Sequence, residues 1–179
     1  VTNDINNKIV SAINKTGGKS IGLNGSQNGL IEATKLEIQV KEPNSNIEKY
    51  IDIGFVGKPN NINKNTINDK LKEGFIPVIA PLGMDKEKNI YNINADTAAG
   101  FIASELKANK LLLLTDVPGI LDEKKQLISS LSLKEANKIL DEDFVSGGMK
   151  PKILTCIEAM NKGVKKSTIL DGRIPHSLI

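Results

Sequence analysis

The sequence contains no tryptophan, a single histidine and a single cysteine, and only 3% of its 179 residues are aromatic. Each shortage narrows what the protein can do. One cysteine, Cys156, allows no internal disulfide and supplies no cysteine cluster for a metal. Proteins that hold single-stranded nucleic acid stack bases on aromatic side chains, so this composition argues against nucleic acid as a partner. The lone histidine, His176, follows Pro175 near the end of the chain, where packing or a surface role suits it better than general-base work. No apolar run approaches the ~18 residues that cross a bilayer, and no signal-peptide pattern opens the chain. The reading is of a soluble protein without a membrane partner.

What is present fits a globular enzyme. Hydrophobic residues make up 39% of the chain, too many for disorder, and 179 residues suffice for one domain with a core. The formal net charge is +3, with lysines spread along the length. Mild positive charge favours a polyanionic small molecule such as a nucleotide. The weight of Asn, Lys and Ile reads as the bias of an AT-rich genome, a plastid or a low-GC bacterium. The chain opens on Val1 and closes on an apolar "SLI" without a cap, which reads as a single domain lacking its N-terminal portion and a short C-terminal tail.

The hydrophobic pattern alternates between helix and strand periods. Ile5, Ile9, Val10 and Ile13 recur at helical spacing, and Gly17 and Gly18 end that segment. "KSIGLNG" reads as a strand entering a glycine turn. "LIEATKLEIQV", the turn "KEPNSN" and "IEKYIDIGFVGK" read as a β-hairpin insertion near residues 30–57. "NKNTINDKLKEG" is a short amphipathic helix. "FIPVIAPLGM" and "KLLLLTD" are continuously apolar and read as buried strands. "IYNIN" is a strand, "ADTAAGFIASELKA" a helix, and "KKSTIL" the last strand. Ser132 and Glu135 form the capping box of a helix near "LKEANKILDE". Strands alternating with helices imply an α/β fold with a largely parallel sheet.

Three stretches concentrate polar groups where a ligand could bind. In "YNINADTAAG", Asn94 is placed to cap the following helix, and Asp96 would sit in its first turn, where the dipole favours a carboxylate. Capping accounts for both, but no cap needs Asn92. In "KLLLLTDVPGIL", Thr115 and Asp116 fall where a strand ends, the place where open α/β sheets bind ligands, although an ordinary strand exit has the same look. In "SGGMKPK", Gly147 and Gly148 precede a helix whose N-terminus suits phosphate, with Lys150 and Lys152 adding cations. Glycines before a helix are also a common structural entry. The spacing is not that of a Walker A loop.

Taken in this order, the three stretches resemble the N-acetylglutamate kinases of the amino-acid kinase family. The resemblance rests on "YNINADTAAGFIASELKANKLLLLTDVPGIL" and "GGMKPKILTCIEAMNKGVKKSTILDGRIPHSLI", supported by "GGKSIGLNGSQNGLI" and "IDIGFVGKPNNIN", and covers nearly the whole chain. It implies a three-layer α/β/α sandwich around a mainly parallel sheet. It implies transfer of the γ-phosphoryl group of ATP, with Mg²⁺, to the side-chain carboxylate of N-acetyl-L-glutamate, the second step of arginine biosynthesis. Residue by residue, it assigns Lys152 and Asp96 to catalysis and Asn92 and Asn94 to the acceptor. It assigns Thr115, Asp116, Val117, Pro118, Gly119, Ile120 and Leu121 to the nucleotide, together with Phe144, Val145, Ser146, Gly147, Gly148, Met149 and Lys150. No protein-held metal site is implied.

The same resemblance implies arginine as a feedback inhibitor, the PII signalling protein as a partner, a homo-oligomer, and a location in the cytoplasm or the plastid stroma. The family's phosphate-gripping glycine loops and its acceptor-binding arginine have no counterpart here, since the only arginine, Arg173, belongs to "DGRIP". The fragment alone is therefore expected to be poorly active. Two alternatives remain open: a relative acting on aspartate, glutamate, carbamate or UMP, and a regulatory or binding fragment without catalysis.

Overall fold

The structure, a computed structural model, describes residues 2–41 and 48–178. Its fold is α/β with parallel strand pairs, and the chain divides into two compact units, Val1–Ala98 and Ala99–Ile179.

The first unit begins with helix α1 (Thr2–Lys15), strand β1 (Ser20–Asn24), and the long strands β2 (Ile31–Lys41) and β3 (Glu48–Ile62). Helix α2 (Lys64–Lys72), strands β4 (Ile76–Ala80), β5 (Leu82–Met84) and β6 (Ile90–Asn92), and the start of helix α3 (Ala95–Glu105) complete it. β1 and β4 run parallel, from Ser20 opposite Ile76 to Asn24 opposite Ala80. α1 packs on this pair, and polar side chains fix its position. Asn6 Nδ2 donates to the Val78 carbonyl at 2.8 Å, and Asn14 Oδ1 accepts from the Ser20 amide at 2.7 Å. Both asparagines thus satisfy backbone groups that burial would otherwise leave unpaired.

β2, β3, β6 and β5 close into a small barrel. β2 and β3 are the antiparallel pair expected from the alternating pattern, although β3 runs on to Ile62. Their connecting turn lies outside the described residues. Barrel closure depends on two glycines. A Cβ at Gly57 would collide with Tyr91, and one at Gly83 would collide with Ala33 and Ile93. Ile31, Ala33, Tyr91 and Ile93 are all buried, and the Tyr91 hydroxyl donates to Asp85 Oδ2 at 2.8 Å.

The run "FIPVIAPLGM" is two strands, not one. Pro81 lies between β4, which pairs with β1, and β5, which pairs into the barrel. A proline lacks the N–H that a continuing ladder would require.

The second unit holds the rest of α3, strand β7 (Lys110–Thr115), helices α4 (Leu133–Ile139) and α5 (Met149–Asn161), and strand β8 (Lys166–Asp171). β7 and β8 are parallel and in step, Lys110 opposite Lys166 and Thr115 opposite Asp171. Leu111 and Leu113 pack with Ala103, Ala159 and Val164. The expectation that all four leucines of "KLLLLTD" are core is corrected here: Leu112 and Leu114 are 39% and 48% exposed. Successive side chains on a strand point to opposite faces, so a continuous apolar run does not by itself mean burial on both.

α3 and α5 meet at Gly100, whose missing Cβ makes room for Thr155. α4 carries the expected capping box, with Glu135 N–H donating to Ser132 Oγ at 3.3 Å and Ser132 N–H to Glu135 Oε2 at 2.7 Å.

Candidate active site

β6 ends at Asn92, whose side chain is exposed; Ile93 turns inward and is 1% exposed. Asn94 then opens α3. Its Oδ1 accepts from the amides of Asp96 at 3.0 Å and Thr97 at 3.1 Å, and its carbonyl takes the Ala98 amide at 2.9 Å. This is N-cap geometry, and it leaves the Asn94 Nδ2 as the group that could meet a ligand. Asp96 is half-buried in the first turn of α3. Asn92, Asn94 and Asp96 therefore stand together at one strand-to-helix junction of the first unit.

In the second unit the nucleotide candidates gather at the carboxyl ends of β7 and β8. Asp116 is exposed, with Thr115 Oγ1 donating to its Oδ1 at 3.4 Å. Gly119 is buried at φ 140°, and a Cβ there would meet Leu127. No other residue takes that conformation without strain, so the turn is fixed by its glycine. Leu121 bridges to Leu127, closing a small loop.

Ile120 packs into a cluster with Phe144, Val145, Met149 and Ile153. The cluster joins two stretches that are distant in sequence, 115–121 and 144–150. Val145 is 2% exposed, so its backbone is the part that can reach a ligand. Gly147 has φ 56°, and Gly148 is the N-cap of α5 without a side-chain bond. Pro151 occupies the first turn of α5, where its missing N–H costs nothing. Ser146 is exposed, and Lys150 and Lys152 are half-buried on that same turn. Helix N-termini carry partial positive charge, which favours an anion.

A cleft of about 720 Å³ borders the loop, lined in part by Pro118, Gly119, Ile120, Leu133 and Ile153. Asp116 and Lys152 are not part of its wall, whereas Lys165, Lys166 and Asp171 are.

One pair was missed in the sequence. Asp171 ends β8 with a buried side chain, and Arg173 binds it with Nε at 2.9 Å from Oδ1 and Nη2 at 2.8 Å from Oδ2. Arg173 holds the Asp171 carboxyl down to about 2, first through the side-chain hydrogen bonds and then through its backbone N–H. Asp171 in turn raises Arg173, and Asp116 adds a weaker attraction. An aspartate at the end of an apolar strand with an arginine two residues on was the available signal.

Among the described residues no group of three or more His, Cys, Asp or Glu could hold a metal. Asp116, exposed at the end of β7, is a carboxylate that a phosphate-borne Mg²⁺ could meet. No described helix is long and apolar enough to cross a membrane.

Residues 2–171 match the amino acid kinase family. The chain belongs to that family. It is 48% identical over 179 residues to the acetylglutamate kinase of Rhodospirillum centenum, covering 100% of this chain and 59% of that protein. It is 47% identical over 179 residues to the acetylglutamate kinase of Gluconobacter oxydans, covering 100% of this chain and 61% of that protein. The chain thus spans 59% and 61% of these two relatives' lengths. An N-acetylglutamate synthase from Neisseria gonorrhoeae superposes with a TM-score of 0.78 at 21% identity, over 94% of this chain and 36% of that one. At that identity the likeness shows a shared fold alone. The amino acid kinase fold is therefore found here by sequence and by structure.

Proposed function

We propose that this chain is part of an enzyme that transfers the γ-phosphoryl group of ATP to the side-chain carboxylate of N-acetyl-L-glutamate, the step known from arginine biosynthesis. The observation that carries this reading is the 48% identity to an acetylglutamate kinase along the entire chain. The acceptor's carboxylate oxygen attacks the γ-phosphorus, the bond to the β-phosphate oxygen breaks, and an acyl phosphate and ADP result. The acceptor is already ionised near neutral pH, so no general base is needed. That agrees with a chain whose only histidine, His176, is exposed.

The work left to the protein is positioning and charge neutralisation. Asn92 would hold the acceptor, with Asn94 Nδ2 beside it. Asp96 would orient the cationic groups, and Lys152 would stabilise charge developing on the transferred phosphoryl group. The 115–121 and 144–150 stretches would seat the nucleotide. Mg²⁺, when bound, would supply further positive charge against the phosphates, with Asp116 as its protein ligand.

Inhibition by arginine, binding of PII, homo-oligomerisation and a cytoplasmic or stromal location accompany this reading through the family resemblance. Thermal melting with arginine or PII tests the first two.

The deciding experiment measures ADP release by the protein that contains this chain, with N-acetyl-L-glutamate, aspartate, glutamate, carbamate and UMP offered separately. Release with N-acetyl-L-glutamate alone is expected. Turnover with another acceptor, and none with this one, would move the assignment within the family. No turnover with any would favour the regulatory reading.

A further inference from the structure

We infer that Arg173 is a phosphate-binding residue of the nucleotide site, aimed by Asp171; the inference deepens the kinase reading and rests on it. The position follows from strand register. Thr115 and Asp171 end their strands side by side, and the Gly172 amide donates to the Thr115 carbonyl at 2.8 Å. The segment carrying Arg173 is therefore tied directly to the first residue of the 115–121 stretch. Ligands of parallel α/β sheets bind at this edge.

The pair is asymmetric in a way that suits binding. The Asp171 side chain is 7% exposed and that of Arg173 62% exposed. The carboxylate is buried and satisfied by Nε, Nη2 and the Arg173 backbone N–H. A guanidinium has five N–H donors, so the donors not turned toward Asp171 remain on its outer side. Asp116 adds a weaker attraction to the same guanidinium.

The two partners nearly cancel in charge. What Arg173 contributes is direction: a rigid planar fork that matches the geometry of phosphate oxygens. Lysine has the charge without the fork. A role in phosphate binding therefore predicts that Arg173→Lys falls short of the native residue. It also predicts that any loss appears with phosphates on the ligand and is absent without them.

The test titrates the protein that contains this chain with ATP, AMP and adenosine, by calorimetry, for the native sequence and for Arg173→Ala, Arg173→Lys and the double variant Asp171→Asn with Arg173→Ala. Losing one charge-assisted contact is expected to weaken ATP about ten-fold in Arg173→Ala and to leave adenosine unchanged. Arg173→Lys should recover only part of that loss. The double variant should bind ATP as weakly as Arg173→Ala, because the donor is still missing.

Three results would overturn the inference while native ATP binding stands. These are undiminished ATP binding by Arg173→Ala, equal weakening of ATP and adenosine, and recovery of ATP affinity in the double variant. The last would mean that the buried carboxylate alone was at fault. Absence of ATP binding by the native protein would remove this inference together with the nucleotide role of the 115–121 stretch.

Discussion

Asp171 and Arg173 close on each other at the end of β8 as a two-point ion pair, Nε to Oδ1 at 2.9 Å and Nη2 to Oδ2 at 2.8 Å. The bonds lower the Asp171 carboxyl from an ordinary 3.8 to about 2. A carboxylate depressed in the folded state stabilises the fold at pH values above its unfolded value, and that contribution fades as pH falls through the folded one. The sensitive window therefore runs from 3.8 down to about 2. Urea unfolding at a series of pH values should show native stability dropping more steeply across this window than that of Asp171→Asn. Parallel curves for the two would mean that the pair does not persist in solution.

At the head of α3, Asn94 is structural by geometry. Asn94 accepts two backbone amides as a cap, so Asn94→Ala should lower stability by about 1 kcal/mol, and Asn94→Asp should retain most of it. Asp96→Asn gives up the carboxylate charge in the first turn of α3 and should stay within about 1 kcal/mol of native stability. Its turnover should nonetheless fall by orders of magnitude. Denaturant titration and steady-state assay of the same preparations separate the two effects. A badly unfolded Asp96→Asn variant with normal specific activity would return Asp96 to a purely structural role.

The barrel makes a stability prediction independent of function. Gly83→Ala would drive a methyl group against the Ala33 Cβ and the Ile93 Cδ1. The Ile93 tip can rotate, but Ala33 has no rotamer to offer, so strand separation must take up the strain. Overpacking of this kind costs about 1–3 kcal/mol. Thermal unfolding of Gly83→Ala should show that loss, whereas Gly148→Ala, which meets nothing within 4 Å, should show little.

The same barrel marks the limit of what the sequence could tell. Helices α1, α2, α3 and α5 announce themselves through periodicity, glycine stops and caps, all of which are local. The Ser132–Glu135 capping box was legible for the same reason. β5 and β6 are three residues each, and they pair with β2 and β3 across long separations. "IYNIN" was read as a strand and holds β6, but the separation of β5 from β4 and the barrel pairing were not, because a non-local register leaves no trace in its own segment. The exposed Leu112 and Leu114 went unread because an apolar run states which residues avoid water, not which face finds cover. The candidate site was legible where it coincides with element ends, at Asn94, Thr115 and Gly148. Asp171–Arg173 was not read, although the spacing was there to see, because burial of the aspartate depends on how β8 packs and not on its own segment.

Lys152 offers the sharpest separation of binding from chemistry. It lies in the first turns of α5, behind Gly148 and Pro151, on a helix anchored by the buried Ile153 and Ile157. A cation that assists only as charge develops on the transferred phosphoryl group lowers the barrier without tightening the ground state. Lys152→Met should therefore reduce kcat by about 10²–10³-fold in the protein that contains this chain, with the Kd for ATP changing far less. Lys152→Arg retains the charge but moves it, and should recover only a fraction of the rate. If Lys152→Met instead weakened ATP binding as much as it slowed turnover, the ammonium would be a ground-state phosphate ligand. Transition-state stabilisation would then have to come from elsewhere at the β7–β8 edge.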